Sequence, residues 1–179
     1  RCRETGTFLA IDECFQDFID EPDRYTAKAR LGDCKNLFLL KAFTKRYAMA
    51  GIRLGYGICS DQALLEVMRD CVQPWNVSIP AQAAGTAALK EEAYVARARE
   101  VVKKEREFLR EQLAALGLKV YDSRANYLFF RGPEGLDKKA LERGVLIRNC
   151  GNYRGLEEGY YRAAVKTHEE NLKLLEALK

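Results

Sequence analysis

Apolar residues in this chain come first in short runs and later at helical spacing. Thr7-Phe8-Leu9-Ala10-Ile11 is a brief, partly β-branched run that stops at Asp12-Glu13. It reads as a buried strand with a carboxylate at its C-terminal end. Asn36 to Leu40 predicts a second buried strand, leading into a loop around Lys45, and Leu54 to Cys59 predicts a third. Residues 16–33 are polar and irregular, with weak helical character around Tyr25 to Ala29. Ser60 then offers an N-cap, and Leu64, Leu65, Val67, Met68, Cys71 and Val72 form an apolar helix face that Pro74 stops. Alanine-rich sequence from Pro80 to Leu89 predicts another helix.

The strongest helical pattern runs from Glu91 to Leu116, where Tyr94, Ala98, Val101, Val102, Phe108, Leu109, Leu113 and Leu116 fall close to one stripe. Gly117 is placed to cap it. Arg97, Arg99, Lys103, Lys104, Arg106 and Arg110 on this helix are matched by Glu91, Glu92, Glu100, Glu105, Glu107 and Glu111. Equal numbers of opposite charges predict a solvated face of helix ion pairs and argue against a nucleic-acid footprint. Beyond it, Val120-Tyr121, Tyr127 to Phe130, Val145 to Ile147 and Tyr160 to Val165 read as strands, with a helix near Leu136 to Arg143. Thr167-His168-Glu169-Glu170 is a capping box for a last helix burying Leu172, Leu175 and Leu178. The pattern therefore predicts three segments: residues 1–90, a long connecting helix over 91–117, and a small C-terminal domain over 118–179.

Composition changes little in this picture. The 179 residues are 47% hydrophobic, as in ordinary globular proteins, and 31% charged, which is slightly rich. A net charge of +4 calls for neither a nucleic-acid nor a membrane partner, and no apolar run reaches transmembrane length. Six cysteines stand at 2, 14, 34, 59, 71 and 150 without metal-ligand spacing, which predicts reduced, mostly packed thiols in a cytoplasmic protein. One histidine, His168, lies at a helix start, so neither a metal site nor a histidine triad is expected.

Chemistry concentrates in Ala42-Phe43-Thr44-Lys45-Arg46-Tyr47-Ala48-Met49-Ala50-Gly51-Ile52-Arg53-Leu54-Gly55-Tyr56. Lys45 sits among apolar and aromatic neighbours, and burial there would disfavour the ammonium and favour a nucleophilic amine. Arg53, beyond a glycine turn, can grip a phosphate through its fork of donors. An amine for an aldehyde and a guanidinium for a phosphate together suit pyridoxal phosphate. Lysines near aromatics more often lay their stems along apolar surface, and Asp12 taken alone better suits a helix cap or a solvated loop acid. At the carboxyl end of a strand, however, Asp12 could pair with a pyridinium nitrogen. Arg162 interrupts an apolar strand pattern and needs an anionic partner.

These residues carry a family resemblance. Phe8 through Phe15 and Phe43 through Tyr56 resemble the fold-type I, class I/II pyridoxal-phosphate aminotransferases. Gln73-Pro74-Trp75-Asn76-Val77-Ser78 and Arg124-Ala125-Asn126-Tyr127-Leu128 continue it. So do Leu146 through Leu156, which includes Ile147-Arg148-Asn149-Cys150-Gly151-Asn152-Tyr153-Arg154-Gly155, and Tyr160 through Lys166. The blocks follow the family's order along nearly the whole chain. They look closest to the branch of threonine-phosphate decarboxylases and histidinol-phosphate aminotransferases.

The resemblance implies an α/β fold: part of the large domain, a mainly parallel sheet with helices, plus an α+β small domain that closes over substrate. It implies pyridoxal 5′-phosphate as cofactor, with Lys45 forming the Schiff base and later carrying a proton. Asp12 would meet the ring nitrogen, Arg53 and Thr44 the phosphate, and Phe15 the ring. Arg162 would hold the carboxylate of an amino-acid substrate, Arg148 a second anionic group, as a phosphorylated substrate would supply, and Asn126 is a weaker candidate for the same substrate. Two departures matter. Phe15 replaces a tyrosine common in aminotransferases and cannot donate to the ring oxygen, and Ala42 stands where the family often has a hydroxyl. The first tilts the reading toward decarboxylation, with a place in amino-acid metabolism or cobalamin biosynthesis. If the arginines hold the substrate carboxylate in the ring plane, transamination follows; if it stands perpendicular, carbon dioxide leaves. Family members are about twice this length and act as homodimers. The chain is therefore expected to be their C-terminal half, either contributing to an enzyme or, alone, a non-catalytic piece with exposed apolar surface along Phe8 to Ile11 and Leu37 to Leu40.

Overall fold

After one helical turn that the pattern does not predict, α1 (Cys2–Thr5), the early apolar runs form strands. β1 (Leu9–Asp12), β2 (Leu37–Ala42) and β3 (Gly55–Cys59) make one sheet in that order. β1 runs parallel to β2, with Asp12 opposite Leu40, while β3 returns antiparallel, with Gly57 opposite Leu40. A parallel pair needs a long crossover, here residues 13–36, which hold only α2 (Pro22–Tyr25) and short 3₁₀ turns. Leu37, Phe38 and Leu39 are buried as expected, but Leu9 and Asp12 are exposed. β1 is an edge strand, so its pattern of apolar residues does not by itself secure burial. Of the apolar surface expected to be open, Phe8, Leu9 and Leu40 are exposed and Leu37 to Leu39 are not. Gly57 is required by packing: a Cβ there would lie 2.1 Å from Cζ of the buried Phe38 ring.

The computed structural model describes residues 1–179, and these divide into two units, residues 1–17 with 21–96 and residues 18–20 with 97–179. In the first unit, α3 (Phe43–Arg46) follows β2 directly. α4 (Gln62–Cys71) is capped by Asp61, whose carboxylate accepts from Leu64 N at 3.2 Å, rather than by the expected Ser60. No α4 residue is buried, and Val67, Met68 and Val72 of its apolar face are exposed. α5 (Ile79–Ala88) begins at Ser78, which caps Ala81 N. A small cluster of Phe43, Tyr47, Ala88 and Val95 forms the core of this unit.

α6 (Glu92–Ala115) carries the division of the chain between Ala96 and Arg97. Its C-terminus is closed by Gly117 at φ 79°, with Gly117 N bonded to Ala114 O and Leu118 N to Leu113 O. The second unit's sheet is antiparallel, β4 (Lys119–Val120), β5 (Tyr127–Arg131), β7 (Tyr160–Ala164) and β6 (Arg148–Asn149), in that spatial order. β6 falls later than the predicted Val145–Ile147, because Ile147 turns into the core and Arg148 takes up the ladder. Leu128 and Phe130 of β5 and Tyr161 and Ala163 of β7 point to one face and are fully or nearly fully buried. α7 (Leu136–Glu142) and α8 (His168–Leu178) belong to this same unit, and α8 has the expected capping box at Thr167 and Glu170. Leu174, Leu175 and Leu178 are buried, whereas Leu172 is exposed and Asn171 takes an inward position instead.

The stripe of α6 is rotated from the sequence expectation. Val95, Val102, Leu109 and Leu113 are buried, while Tyr94, Val101 and Leu116 are exposed. Glu105 and Arg106 are buried too, so the charged face is not wholly solvated. The free cysteines are less packed than expected: Cys59 and Cys150 are buried, and Cys71 is exposed. No helix is long and apolar enough to cross a membrane.

Candidate active site

The C-terminal ends of β1 and β2 bring the first group of candidate residues into one unit. Asp12 closes β1, and its Oδ1 accepts from the Cys14 amide at 2.9 Å. Hydrogen bonds from the Cys14 thiol and then the Cys14 amide hold the Asp12 carboxyl below its ordinary range. Burial, reinforced by Asp12, pushes the Cys14 thiol up to about 11. The adjacent Glu13 is the buried one. Its Oε2 accepts from Lys41 Nζ and Thr26 Oγ1, both at 2.8 Å, and its Oε1 from Ala27 N at 2.8 Å. Burial alone would raise the Glu13 pKa, but Lys41, the Ala27 amide and the Thr26 hydroxyl together bring it below the usual value.

Lys45 lies in α3, the turn of helix directly after β2. Its neighbours Phe43 and Tyr47 turn inward, their rings stacked at 5.2 Å, while Thr44 is half-buried. Lys45 itself is exposed, which corrects the expected burial: on so short a helix the apolar partners occupy one side and Lys45 the other. Its Nζ is in no ion pair and stands 5.5 Å from the centroid of the half-buried Phe15 ring. Lys41, a second primary amine near the same strand end, is engaged by Glu13. Arg46 pairs with Asp17 and donates to Tyr47 Oη at 3.0 Å. Burial works against the Arg46 charge, but Asp17 outweighs it and raises the pKa.

Arg53 ends the loop after α3 at φ 56°, a left-handed conformation that costs a residue with a Cβ, and Ala48 adopts the same region at φ 54°. The exposed Arg53 guanidinium is tethered lightly, donating to Ala50 O at 3.1 Å. Strained backbone at a charged residue in a loop is a feature of ligand-holding segments.

The remaining candidates fall in the second unit. Arg148 of β6 and Arg162 of β7 are direct cross-strand partners, and Arg162 is also opposite Phe129 of β5. Side chains so paired share a face, away from the core side of Leu128 and Tyr161. Like charges directly opposite each other are unfavourable, and an anion between them would reverse the sign. Arg162 lies 4.9 Å over the Tyr127 ring, and Arg148 is 5.7 Å from the Tyr153 ring and donates to Asn152 Oδ1 at 3.2 Å. Burial raises the pKa of Cys150, with both arginines opposing it. The Asn126 backbone carbonyl accepts from Val165 N at 2.9 Å, while its side-chain Oδ1 is buried without a partner.

Two sets of buried contacts were not foreseen from sequence. Glu13 and Lys41 form a buried ion pair, and the signal was a lysine closing the apolar run Leu37 to Leu40. Glu105 and Arg106 fall at helical spacing between Val102 and Leu109, which marks an inward face. Glu105 Oε2 accepts from Asn171 Nδ2 at 3.0 Å and meets His168 Nδ1 at 3.2 Å. Arg106 donates to the carbonyls of Arg124 at 3.0 Å and Ala125 at 3.2 Å.

An α/β unit with a carboxylate at a strand end and an unpaired lysine after the next strand, and a second unit with facing arginines, agree with the comparison to known proteins. The family described as aminotransferase class I and II matches residues 1–178, and the chain belongs to it. This family depends on pyridoxal phosphate. The chain is 36% identical to a threonine-phosphate decarboxylase of Salmonella typhimurium, over 100% of this chain and 50% of that protein. It is 32% identical to a histidinol-phosphate aminotransferase of Methanosphaera stadtmanae, over 98% and 48%. Among solved structures, the histidinol-phosphate aminotransferase from Clostridium acetobutylicum aligns with TM-score 0.92 at 32% identity, covering 99% of this chain and 55% of that one. The L-threonine-O-3-phosphate decarboxylase from Porphyromonas gingivalis aligns with TM-score 0.84 at 25% identity, covering 96% and 54%. The chain spans about half the length of the curated relatives it matches.

Proposed function

We propose that this chain carries the lysine-bearing part of a pyridoxal-phosphate enzyme acting on a phosphorylated amino acid, with decarboxylation of the threonine-phosphate type as the reaction. The observation that carries the reading is Lys45: it is the lysine after β2 that stands outside any ion pair, beside Phe15 and in the same unit as Asp12 and Arg53. The donor set fits the cofactor: an amine for its aldehyde, a carboxylate kept charged for its ring nitrogen, and a guanidinium and hydroxyl for its phosphate.

When bound, pyridoxal phosphate supplies an electron-accepting ring that stabilises charge developing at the substrate Cα. Lys45 would hold the cofactor covalently and afterwards carry a proton at that carbon. Asp12 would keep the ring nitrogen protonated, and the hydrogen bonds that lower its pKa favour the charged form this needs. Arg53 and Thr44 would hold the phosphate, and Phe15 would give the ring an apolar neighbour without a hydroxyl. Arg148 and Arg162 would take the anionic groups of the substrate, which the mutual repulsion of the unliganded pair favours. Asn126 would offer its unpartnered Oδ1 to a substrate donor. Division at residues 90 and 117, and a cytoplasmic homodimer as the working form, belong to the same proposal.

Phe15 and the 36% identity to a threonine-phosphate decarboxylase support decarboxylation. A histidinol-phosphate-type transamination is the second reading, favoured by the TM-score of 0.92. The test is the absorbance spectrum of the purified chain with pyridoxal phosphate, before and after borohydride, against Lys45→Ala. A band that depends on Lys45 and is trapped by borohydride is the expected result. Its absence would limit this length of chain to a non-catalytic role. Carbon dioxide release from O-phosphothreonine, against amino transfer from histidinol phosphate, then separates the two reactions.

A further inference from the structure

Two primary amines flank the same strand end. Lys41 is the next-to-last residue of β2, and Lys45 sits in the helical turn that follows it. An aldehyde can react with either amine, although only Lys45 stands at the family's spacing before Ala50-Gly51-Ile52-Arg53. Their surroundings in the structure differ sharply. The Lys41 side chain is 13% exposed and its Nζ lies 2.8 Å from Glu13 Oε2, with the Glu13 side chain 3% exposed. Lys45 is exposed and free of carboxylates.

We infer that Glu13 is a specificity-determining residue that withdraws Lys41 from carbonyl chemistry, leaving Lys45 as the amine that reacts. This deepens the reading above and rests on it for the identity of the aldehyde. An amine attacks through its lone pair, and an ammonium bonded to a carboxylate has none to offer. The other bonds of Glu13 make this arrangement rigid. Thr26 Oγ1 and Ala27 N fix both carboxylate oxygens, so Glu13 cannot turn toward Lys45 or release Lys41 without breaking hydrogen bonds from these half-buried residues. Glu13 N also continues the β1–β2 ladder to Leu40 O at 3.0 Å, which sets the carboxylate beside the residue after Leu40. The selection is thus built from backbone register: Asp12 pairs with Leu40, and the following residues on the two strands are the acid and the base. The carboxyl of Glu13 stays ionised through the pH range of use because its partners hold its pKa below the ordinary value.

The test reads individual lysines by peptide mass spectrometry. Reductive methylation with formaldehyde and cyanoborohydride, which needs no cofactor site, is run near neutral pH on the wild-type chain and on Glu13→Gln. In the wild type, Lys41 should label at least about tenfold more slowly than Lys45 or the exposed Lys90 and Lys173, since its shielded amine must first break a charge-assisted hydrogen bond to Glu13. In Glu13→Gln, Lys41 should rise toward the rate of the exposed lysines. Borohydride trapping with pyridoxal phosphate should give an adduct at Lys45 in the wild type and at both lysines in Glu13→Gln. In Lys45→Ala the adduct should not move to Lys41 unless Glu13 is also replaced. Equal labelling of Lys41 and Lys45 in the wild type overturns the inference, and does so even if Glu13→Gln does not fold. An unchanged Lys41 rate in a natively folded Glu13→Gln overturns it as well. A protected Lys41 without any pyridoxal phosphate adduct at Lys45 would instead remove the cofactor reading and leave the protection of Lys41 standing.

Discussion

Replacing Arg106 by Met separates a buried charge from the surface charges around it on α6. Met keeps most of the aliphatic volume and removes the guanidinium. Arg106 is 7% exposed, and its guanidinium bonds the carbonyls of Arg124 and Ala125 and reaches Asp20 Oδ2 at 3.4 Å. A hydrogen bond from a charged donor is worth about 1.5–3 kcal/mol. The half-buried Ala125 carbonyl should lose about 2 kcal/mol of that kind when left unpaired. Arg124 is exposed, so water replaces the guanidinium there, and the ion pair with Asp20, whose side chain is 33% exposed, is discounted for screening. Together these two add about 1 kcal/mol, for a total near 3 kcal/mol. At a urea dependence of about 2 kcal/mol per molar, the unfolding midpoint of Arg106→Met should fall by about 1.5 M. Far-ultraviolet circular dichroism follows the transition. Arg110→Met is the control: Arg110 pairs with Glu107 on the exposed face, and its midpoint should not move. A loss for Arg106→Met below about 0.5 M, or one matched by Arg110→Met, would refute the assignment of Arg106 as a buried brace of the segment before β5.

Other consequences follow from single features of the site. Glu13 has a depressed pKa in the folded chain, so its contribution to stability is present above the ordinary value of 4.5 and is lost as pH falls through the lower folded value. Urea midpoints measured across that range should drop on acidification, and Glu13→Gln should flatten the dependence. Ala48→Gly should stabilise the chain by about 1 kcal/mol, because φ 54° is a left-handed conformation that glycine adopts without a Cβ clash; a lower midpoint would contradict it. With its thiol raised from 9.0 to about 11, Cys14 should hold roughly a hundredfold less thiolate at mildly alkaline pH than an unperturbed thiol, and its alkylation by iodoacetamide should be slow to match. Rapid labelling of Cys14 in the folded chain would contradict the raised pKa of its thiol.

Local physics made the elements legible. Short apolar runs bounded by polar residues announced β2 and β3, Thr167 and Glu170 announced the start of α8, and Gly117 announced the end of α6. These features depend on neighbours a few residues away, so periodicity and capping chemistry suffice to find them. The ordered motifs also identified the family and its cofactor, because they record a chemistry and not merely a fold.

What sequence could not decide was which face meets a partner. β1 has the same apolar character as β2 but stands at a sheet edge, so Leu9 and Asp12 are exposed while Leu37 to Leu39 are not. Lys45 looked buried because Phe43 and Tyr47 flank it, yet the direction of those rings leaves it outward. Glu105 and Arg106 looked like part of a balanced charged face until their partners, Asn171 and the Arg124 and Ala125 carbonyls, were seen beside them. Sequence by itself determined the residue types, most of the elements and the family. Tertiary structure alone decided the pairing of Glu13 with Lys41 and of Arg148 with Arg162. Strand register sets both, and register is a long-range property that no local pattern encodes.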